Sequence, residues 1–422
     1  MELREGYKQT EVGVIPEDWR VVPLGSLAST AKNAIVGGPF GSDLVSTDYV
    51  SSGVPVVRGQ NMGQAYISGD FVFVSKAKAK SLSANLARPG DLIFTQRGTL
   101  GQVSIVPSAP FPEYVVSQSQ MKLALSSEVA DRQYIFQYFC STAGQTQIVE
   151  SAIQTGVPHT NLGILKAYKV TLPANLEEQR AIATALSDVD ALLAKLDQLI
   201  AKKRDLKQAA MQQLLTGQTR LPGFSGGWEV KRLGDLAETG SGGTPPSSVT
   251  AYYDGDIPWV SIADMTGGGK IIFTTERNLT AEGLKNSAAQ MFPVGTVLYA
   301  MYASIGECSI AGVPLCSSQA ILGIRTKATL NNDFLFYHLT SLKPVIKTMG
   351  QQGTQANLNA GMVRAFEIKL PKLAEQAAIA TVLSDMDAEL ATLETRRDKT
   401  RALKQGMMQA LLTGRIRLVG AN

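Results

Sequence analysis

The residues of this sequence that could perform catalysis are one serine and two histidines. Gly223-Phe224-Ser225-Gly226-Gly227 matches the G-x-S-x-G pattern of serine hydrolases, and His159 and His338 are the histidines available as a general base. A nucleophile elbow needs a strand before the serine and a helix after it, whereas a helical pattern and Pro222 precede this serine. The pattern favours a glycine-rich linker, and a serine hydrolase using Ser225 remains an alternative.

Other reactive residue types lack the spacing that a catalytic or metal site requires. Glu367-Ile368-Lys369 could end a nuclease-like acidic cluster, but the matching strand in the first half reads Lys169-Val170-Thr171. The chain has three cysteines, Cys140, Cys308 and Cys316, without metal or disulfide spacing. The phosphate-binding loop and the dinucleotide fingerprint are missing. The sequence therefore predicts no catalytic site, no metal site and no cofactor in this chain.

Two long amphipathic stretches must position any site that the chain carries. Residues 176–217 contain neither Pro nor Gly before Gly217, and apolar residues recur in alternating steps of four and three, at Ile182, Leu186, Val189, Leu193, Leu196 and Ile200. This spacing is the a/d seam of a coiled coil. The stretch repeats 197 residues later, where the seam returns at Ile379, Leu383, Met386, Leu390 and Leu393. At a rise of about 1.5 Å per residue, each predicted helix is roughly 60 Å long.

A globular region precedes each helix, and the two regions are alike. Trp19-Arg20-Val21 returns as Trp228-Glu229-Val230, between short β-branched and aromatic runs separated by turn residues. Helical patterns lie near 132–139 and 333–342. Two like halves related by a two-fold axis would pair their helices antiparallel. We predict an α+β fold with two pseudo-repeated globular α/β domains separated by two long helices that form an antiparallel coiled coil. The predicted divisions are 1–175 and 222–372 for the domains, 176–221 for the central helix and linker, and 373–422 for the C-terminal helix.

Length and composition agree with such a plan. The chain has 422 residues, of which 18% are charged, and a formal net charge of +4. These values are typical of an ordinary globular protein with two or three domains. The amino-terminal MELREGYKQTEVG lacks the apolar core of a signal peptide, and no run is long enough to span a membrane. With an odd number of cysteines in addition, we expect a cytoplasmic protein.

This combination resembles the DNA-specificity subunit of type I restriction–modification enzymes. The resemblance rests on the duplicated layout of domain and long helix and on the Leu-Leu-Thr-Gly helix ends. It also rests on short segments: Gly13-Val14-Ile15-Pro16, Gly38-Pro39-Phe40-Gly41-Ser42, Arg58-Gly59-Gln60-Asn61, and Gly255-Asp256-Ile257-Pro258-Trp259-Val260-Ser261 with Asp264. It covers nearly the whole chain, and the combination is specific although each segment alone is weak.

The resemblance implies two target-recognition domains, each of which reads one half of a split sequence in double-stranded DNA. It implies that the coiled coil sets the gap between the halves and that this subunit is not an enzyme. The implied partners are two modification subunits, which methylate adenine with S-adenosylmethionine, and two ATP-dependent motor–nuclease subunits. S-adenosylmethionine, ATP and Mg are thus expected in the partners.

The candidate DNA-binding residues are polar side chains between apolar runs, because such side chains read base edges and hold phosphates. In the first domain they are Arg58, Gln60, Asn61, Gln96, Arg97, Gln120, His159 and Asn161; in the second they are Ser261, Asp264, Tyr302, Gln319, Gln355 and Asn357. Each alone is compatible with an ordinary turn residue. Arg58 corresponds to Ser261 and Arg97 to Tyr302, so the two half-sites should be unlike.

The ends of the long helices carry more apolar residues than a two-helix seam covers. We predict that part of this surface binds a modification subunit, through Met211, Leu214, Leu215, Met408, Leu411 and Leu412. Packing of these residues on the chain's own globular domains is the alternative. A helical scaffold that does not touch DNA also remains open, and it predicts no salt-sensitive binding to any duplex.

Overall fold

The computed structural model describes residues 5–154, 156–350 and 358–418, with the backbone alone for 347–350. Packing divides the chain into two compact units. The first unit combines the chain up to Asp197 with the chain from Thr395 onward, and the second runs from Gln198 to Glu394. Each unit therefore holds one globular domain and a part of both long helices.

The first globular domain is built on two sheets. One sheet is antiparallel, with strands in the order Val103–Ile105, Leu92–Thr95, Gln120–Leu123 and Ile35–Gly37. The other has the order Tyr49–Val50, Val72–Val74, Val54–Val57, Tyr114–Val116 and Leu86–Ala87, and its third and fourth strands are parallel. A hairpin of Tyr7–Thr10 and Gly13–Pro16 precedes them. The helices are Lys76–Ser81, Arg132–Cys140, Thr142–Glu150 and Leu162–Ala167.

The second globular domain repeats this plan with altered strand lengths. Its larger sheet has the order Ala237–Ser241, Ile321–Thr326, Val297–Ala300, Cys308–Ala311 and Ile271–Ile272, and its smaller sheet has the order Arg277–Leu279, Tyr253–Val260 and Cys316–Ser317. The helices are Leu233–Leu236, Ile262–Gly267, Ala281–Lys285, Asn332–Gly350 and Ala360–Arg364. The predicted helical patterns near 132–139 and 333–342 are confirmed.

A two-stranded ribbon leads from each domain into a long helix. Arg20–Pro23 pairs with Lys169–Leu172 in the first unit, and Glu229–Arg232 pairs with Glu367–Leu370 in the second. The helices that follow run Leu176–Thr216 and Leu373–Leu411. Each ends near a glycine with positive φ, Gly217 at 73° and Gly414 at 71°, a conformation that glycine adopts without steric cost and that terminates helices.

The apolar seams predicted for the long helices face inward. Ile182, Leu186, Leu196 and Ile200 are at most 4% exposed, and Ile379, Leu383 and Leu390 are also buried. In the first unit Lys404 Nζ lies 2.6 Å from Asp190 Oδ1, and in the second Lys203 Nζ lies 2.6 Å from Glu389 Oε1. In both units later residues of one helix meet earlier residues of the other, so the segments run antiparallel. The α+β class, the repeated domains and the antiparallel coiled coil are confirmed.

Among the described residues, no helix is both long and apolar enough to cross a membrane.

Candidate nucleic-acid interface

Five loops meet at one end of the sheets in the first domain. The segment 117–120 is hydrogen-bonded to three of the other loops. Ser117 N donates to Val57 O, Gln118 Nε2 donates to Gly41 O at 2.8 Å, and Gln96 N donates to Ser119 O at 2.7 Å. Thr160 N in turn donates to Gln96 O at 2.9 Å. Apart from the Gln118 side chain, these bonds use backbone atoms only, so they position the loops without consuming the side chains of the candidate residues. We name this group of segments (38–44, 58–61, 96–98, 117–120 and 159–161) the first loop cluster.

The first loop cluster brings together the eight candidate DNA-binding residues of the first domain. Gln60, Arg97 and Asn161 are exposed, whereas Arg58, Gln96 and His159 are half-buried. Arg97 forms an isolated antiparallel bridge with His159. The buried Nε atom of Arg58 has no hydrogen-bond partner among the described residues. An arginine of this kind can still donate to a base edge or a phosphate.

Two candidates of the first cluster lie inside the protein, which corrects their predicted role in base contact. Asn61 is 1% exposed: its Oδ1 accepts from Arg58 N at 3.1 Å, and its Nδ2 donates to Ser68 O and Asp70 O, both at 3.0 Å. Gln120 is fully buried and accepts from the Ser117 hydroxyl. The Asn61 amide is thus paired on both sides, as an amide in the interior must be, whereas the buried Nε2 of Gln120 has no partner among the described residues.

Asn161 and Gln60 combine exposure with a positioning contact. Asn161 Oδ1 accepts from Ile164 N at 3.0 Å and caps the helix Leu162–Ala167. Gln60 Nε2 donates to Asp70 O at 2.9 Å. Each keeps unused donor or acceptor capacity toward solvent.

The second domain contains a loop cluster with the same backbone bonds. Ser318 N donates to Val260 O, Met301 N donates to Ala320 O, and Leu358 N donates to Met301 O, at 2.8 to 3.2 Å. Gly243 N donates to Ser317 O at 2.8 Å. We name this group (242–245, 260–264, 301–304, 317–320 and 358) the second loop cluster. It corresponds segment by segment to the first.

The candidate residues of the second cluster divide in the same way. Tyr302 is half-buried and Gln319 is exposed, and Gln319 accepts from the Thr244 hydroxyl. The Asp264 carboxylate is hydrogen-bonded within the protein. Its Oδ2 accepts from Ser261 N at 2.8 Å and from Ser261 Oγ at 2.6 Å, and its Oδ1 accepts from Glu276 N at 2.8 Å. Ser261 and Asp264 thus cap the helix Ile262–Gly267, and their base contacts stay a prediction. Gln355 and Asn357 lie outside the described residues.

One family of sequences matches the chain twice, in agreement with this duplicated arrangement. The family described as the type I restriction modification DNA specificity domain matches residues 16–202 and again residues 225–401. The chain belongs to this family. Each match spans one globular domain and part of a long helix.

Relatives and solved structures extend over nearly the full length. The chain is 25% identical to a putative type I restriction enzyme MjaX specificity subunit of Methanocaldococcus jannaschii, over 98% of this chain and 97% of that protein. It is 23% identical to the MjaVIII specificity subunit of the same organism, over 99% and 97%. The solved structure of a type I S subunit from M. genitalium covers 97% of this chain and 98% of its own, with a TM-score of 0.60 at 14% identity, and supports the fold.

The helix ends of this specificity subunit do not form the free apolar surface that the sequence predicted. Met408, Leu411 and Leu412 are at most 8% exposed and pack into the core of the first domain. Met211, Leu214 and Leu215 are at most 9% exposed and pack into the core of the second. The predicted partner site on these residues is therefore corrected: the extra apolar width of the helix ends serves the chain's own domains.

An ionic contact that the sequence analysis missed closes each unit of the specificity subunit. In the first unit, Arg417 Nη2 donates to Glu178 Oε2 at 2.8 Å and to Asp18 Oδ2 at 2.8 Å, and its guanidinium lies 5.8 Å from the centroid of Trp19. These carboxylates raise the pKa of Arg417 above its ordinary value, the Glu178 hydrogen bond contributing most. We name this group the first clasp.

The second clasp uses the equivalent residues. Arg220 Nη2 donates to Glu375 Oε2 at 2.7 Å, and its guanidinium lies 5.4 Å from the centroid of Trp228. Arg417 follows Arg220, and Glu375 follows Glu178, by the same 197 residues that separate the helices. That common spacing was the signal in the sequence that could have identified the clasps.

The predicted linker and its alternative can also be judged from the structure. Ser225 follows a turn near the end of the first long helix and precedes the strand Glu229–Arg232. The order of strand, serine and helix that defines a nucleophile elbow is therefore not found at Ser225. Within the described residues, no group of three or more His, Cys, Asp or Glu side chains could hold a metal ion.

Proposed function

We propose that this chain is the non-catalytic DNA-recognition subunit of a cytoplasmic type I restriction–modification complex. Each loop cluster would read one half of a bipartite, asymmetric target, and the antiparallel coiled coil would fix the gap. The family membership and the two loop clusters support this function.

One observation carries the proposal. The two clusters have the same backbone hydrogen bonds but present different side chains: Arg97 in the first corresponds to Tyr302 in the second, and Arg58 to Ser261. A repeated framework with different donor and acceptor sets is what two unlike half-sites require. The proposed contacts are Arg58, Gln60, Gln96, Arg97, His159 and Asn161 in the first cluster and Tyr302 and Gln319 in the second. Asn61, Gln120, Ser261 and Asp264 would position the loops.

Recognition is tested by co-expressing the chain with the modification subunit of its own system and mapping methylated adenines in the host genome. We expect one split motif with unlike halves. The purified complex should bind that duplex with an affinity that falls steeply as salt rises, because phosphate contacts release counterions. No motif, and no salt-sensitive binding to any duplex, would favour the helical scaffold that does not touch DNA.

The spacing function of the coiled coil is tested by deleting one heptad from each long helix, Leu193–Leu199 and Leu390–Arg396. The deletions keep the a/d register and shorten each helix by about 10 Å, or about three base pairs of rise. We expect the half-sites to stay the same and the preferred gap to change. An unchanged gap in a folded variant would contradict the proposal.

Because the helix ends are buried, the proposed partner surface is formed instead by exposed leucines along the long helices. Leu199 and Leu206 lie one heptad apart in the second unit and are 38% and 47% exposed. In the first unit Leu192 is 38% and Leu403 is 59% exposed. A second apolar stripe on a two-helix coiled coil is suited to bind further helices. We propose that helices of modification subunits pack here and that those subunits and the motor–nuclease subunits bring S-adenosylmethionine, ATP and Mg.

Leu199→Asp combined with Leu206→Asp tests this surface. The variant should lose the modification subunit on size-exclusion chromatography, because charges in an apolar interface are costly. Ala201→Asp combined with Gln208→Asp is the control, since these two exposed residues, also one heptad apart, add the same two charges away from the leucines. Assembly that is equal in both variants would contradict the proposed surface.

A further inference from the structure

Phe40 is the most exposed large apolar side chain in the part of the chain that the structure describes, at 80%. It lies in the first loop cluster, at the tip of the segment Gly38–Leu44. An exposed aromatic ring is usually found on a mobile or loosely packed loop or in a broad apolar patch. Phe40 is on neither, because the loop that carries it is fixed and its tip is polar.

Three hydrogen bonds, a close backbone approach and a buried anchor fix the loop below the ring. Gly38 N donates to Gln120 O at 3.0 Å, and a Cβ atom at Gly38 would lie 1.9 Å from Ser117 O, so the backbone approaches too closely for any other residue. Gln118 Nε2 donates to Gly41 O at 2.8 Å and to Leu44 O at 3.1 Å. Leu44 is 5% exposed and anchors the far end in the core. The backbone that carries the ring is therefore positioned before any ligand arrives.

The residues after the ring do not extend an apolar surface. Gly41, Ser42 and Asp43 are all exposed, and they form a single 3-10 turn in which Asp43 N donates to Phe40 O at 3.0 Å. A protein interface needs a contiguous apolar area of several hundred Å², which one ring cannot supply. An apolar ring on a polar tip, beside side chains suited to base edges, instead matches the wedges that proteins insert between base steps.

The second loop cluster has no such ring. Gly242 matches Gly38, since Gly242 N donates to Ile321 O at 3.1 Å and a Cβ there would lie 2.3 Å from Ser318 O. Two residues later the second cluster has Thr244, whose hydroxyl donates to Gln319, where the first has Phe40. Pro245 follows and is buried. The two clusters thus share the loop and differ in the residue at its tip.

We propose that Phe40 is an apolar wedge that enters a base step of the half-site read by the first domain and unstacks it. The second half-site is bound without such an insertion. This inference rests on the proposed function and adds a residue that selects for easily unstacked steps, because the sequence dependence of stacking is then read as binding energy.

The test uses the complex of this chain with its modification subunit and duplexes of the mapped target. Single 2-aminopurine substitutions, whose fluorescence rises on unstacking, are placed at each adenine of either strand in both halves except the methylated adenines, which a methyltransferase itself flips out of the stack. We expect a rise at one step of the first half and none in the second. Phe40→Ala should abolish the rise and weaken binding about tenfold or more, as expected for a lost stacking contact. Phe40→Trp should keep both, and Phe273→Ala, at a ring that is 60% exposed outside both loop clusters, is the matched control.

The outcomes separate the wedge from the proposed function. Sequence-specific binding without any fluorescence rise would overturn the wedge and leave the proposed function standing. Loss of the modification subunit from Phe40→Ala on size-exclusion chromatography, with the rise unchanged, would make Phe40 a protein contact and also overturn it. Absence of specific DNA binding by the unaltered complex would remove the proposed function, and the wedge with it.

Discussion

The two clasps are built from the same residue types but hold their arginines differently. Arg417 contacts two carboxylates, Glu178 and Asp18, and Trp19 Nε1 also donates to Glu178 at 3.3 Å. Arg220 contacts Glu375 and, in place of a second carboxylate, the backbone oxygen of Gly226 at 2.8 Å. The Nε1 atom of Trp228 is buried without a partner among the described residues. The first clasp is thus the more completely paired.

The loop clusters differ from the clasps in which part of the structure is repeated. At the clasps, Arg, Glu and Trp recur and only their surroundings vary. At the loop clusters the backbone bonds recur, but Arg97 becomes Tyr302 and Phe40 becomes Thr244. Residues that stabilise the fold make the same contacts in both units and therefore recur. Residues that contact a ligand can differ between the units.

The largest expected effect follows from the buried helix ends. Leu412→Ala should destabilise the first unit, and Leu215→Ala the second, by about 2–5 kcal/mol each, because each truncation leaves a cavity in a domain core. Hydrogen exchange followed by mass spectrometry assigns the loss of protection to one domain or the other. Leu403→Ala, at a side chain 59% exposed, is the control and should be close to neutral. Loss of the modification subunit with unchanged protection would restore the helix ends as a partner site.

The next effect distinguishes the clasps. Arg417→Ala should cost the first unit about 3 kcal/mol, because Glu178 is 1% exposed and would remain charged without its partner. Arg220→Ala also leaves a buried carboxylate, because Glu375 is 2% exposed, but it breaks one ion pair where Arg417→Ala breaks two, so it should destabilise the second unit somewhat less. Urea unfolding monitored by hydrogen exchange in each domain measures both. Arg417→Lys should recover part of the loss, and equal losses for the two alanine variants would remove the distinction.

The third effect is a loss of stability at acid pH in the second domain alone. Burial lowers the pKa of His338 from 6.5 to about 4, a shift that a hydrogen bond with the Glu367 backbone partly opposes. The unfolded chain therefore binds this proton below pH 6.5 while the folded chain does not, so stability is full above that pH and falls as pH drops toward 4. Between pH 7 and pH 5 the loss should be about 2 kcal/mol.

The first domain provides the comparison for this titration. Its equivalent residue is Tyr138, whose OH donates to Lys169 O at 2.9 Å and does not titrate in this range. Unfolding of each domain, measured at pH 7 and pH 5, should therefore show the loss in the second domain only. His338→Phe should remove it. Equal acid sensitivity in both domains would assign the effect to other groups.

The smallest effect tests the difference between Arg97 and Tyr302. Arg97→Ala should relax preference at one or two base pairs of one half-site, at about 1–3 kcal/mol, because an arginine can grip guanine by two hydrogen bonds. Tyr302→Ala should affect only the other half-site. Binding of the assembled complex to duplexes substituted at each position measures both. A uniform loss on all sequences would make Arg97 a phosphate contact, and no loss would make it a surface residue.

Much of the framework could be predicted from the sequence because its signals are local or periodic. The seam from Ile182 to Ile200 follows from apolar spacing alone, and the copy at Ile379 follows from the repeat. The grouping of the loops could also be predicted, because polar residues that follow short apolar runs lie at the ends of strands. The candidate residues of the first domain accordingly meet in one cluster.

The use of each polar side chain could not be predicted, because it depends on contacts distant in sequence. Asn61 and Gln60 look alike in the sequence, but one is buried between Ser68 and Asp70 and the other is exposed. Leu412 looks like a free apolar residue until the first domain covers it, 241 residues from Thr171, whose hydroxyl donates to Leu412 O. Burial of this kind is a property of the tertiary structure.

The composition of the two units has a consequence for synthesis. The second unit is continuous from Gln198 to Glu394, whereas the first needs the chain from Thr395 onward. Ile15 and Trp19 share a core with Met408, Leu411 and Leu412, and this core stays incomplete on the ribosome until those last residues emerge. The half of the protein translated first is therefore the half that finishes folding last. Until then its unfinished core leaves apolar surface exposed, which favours aggregation.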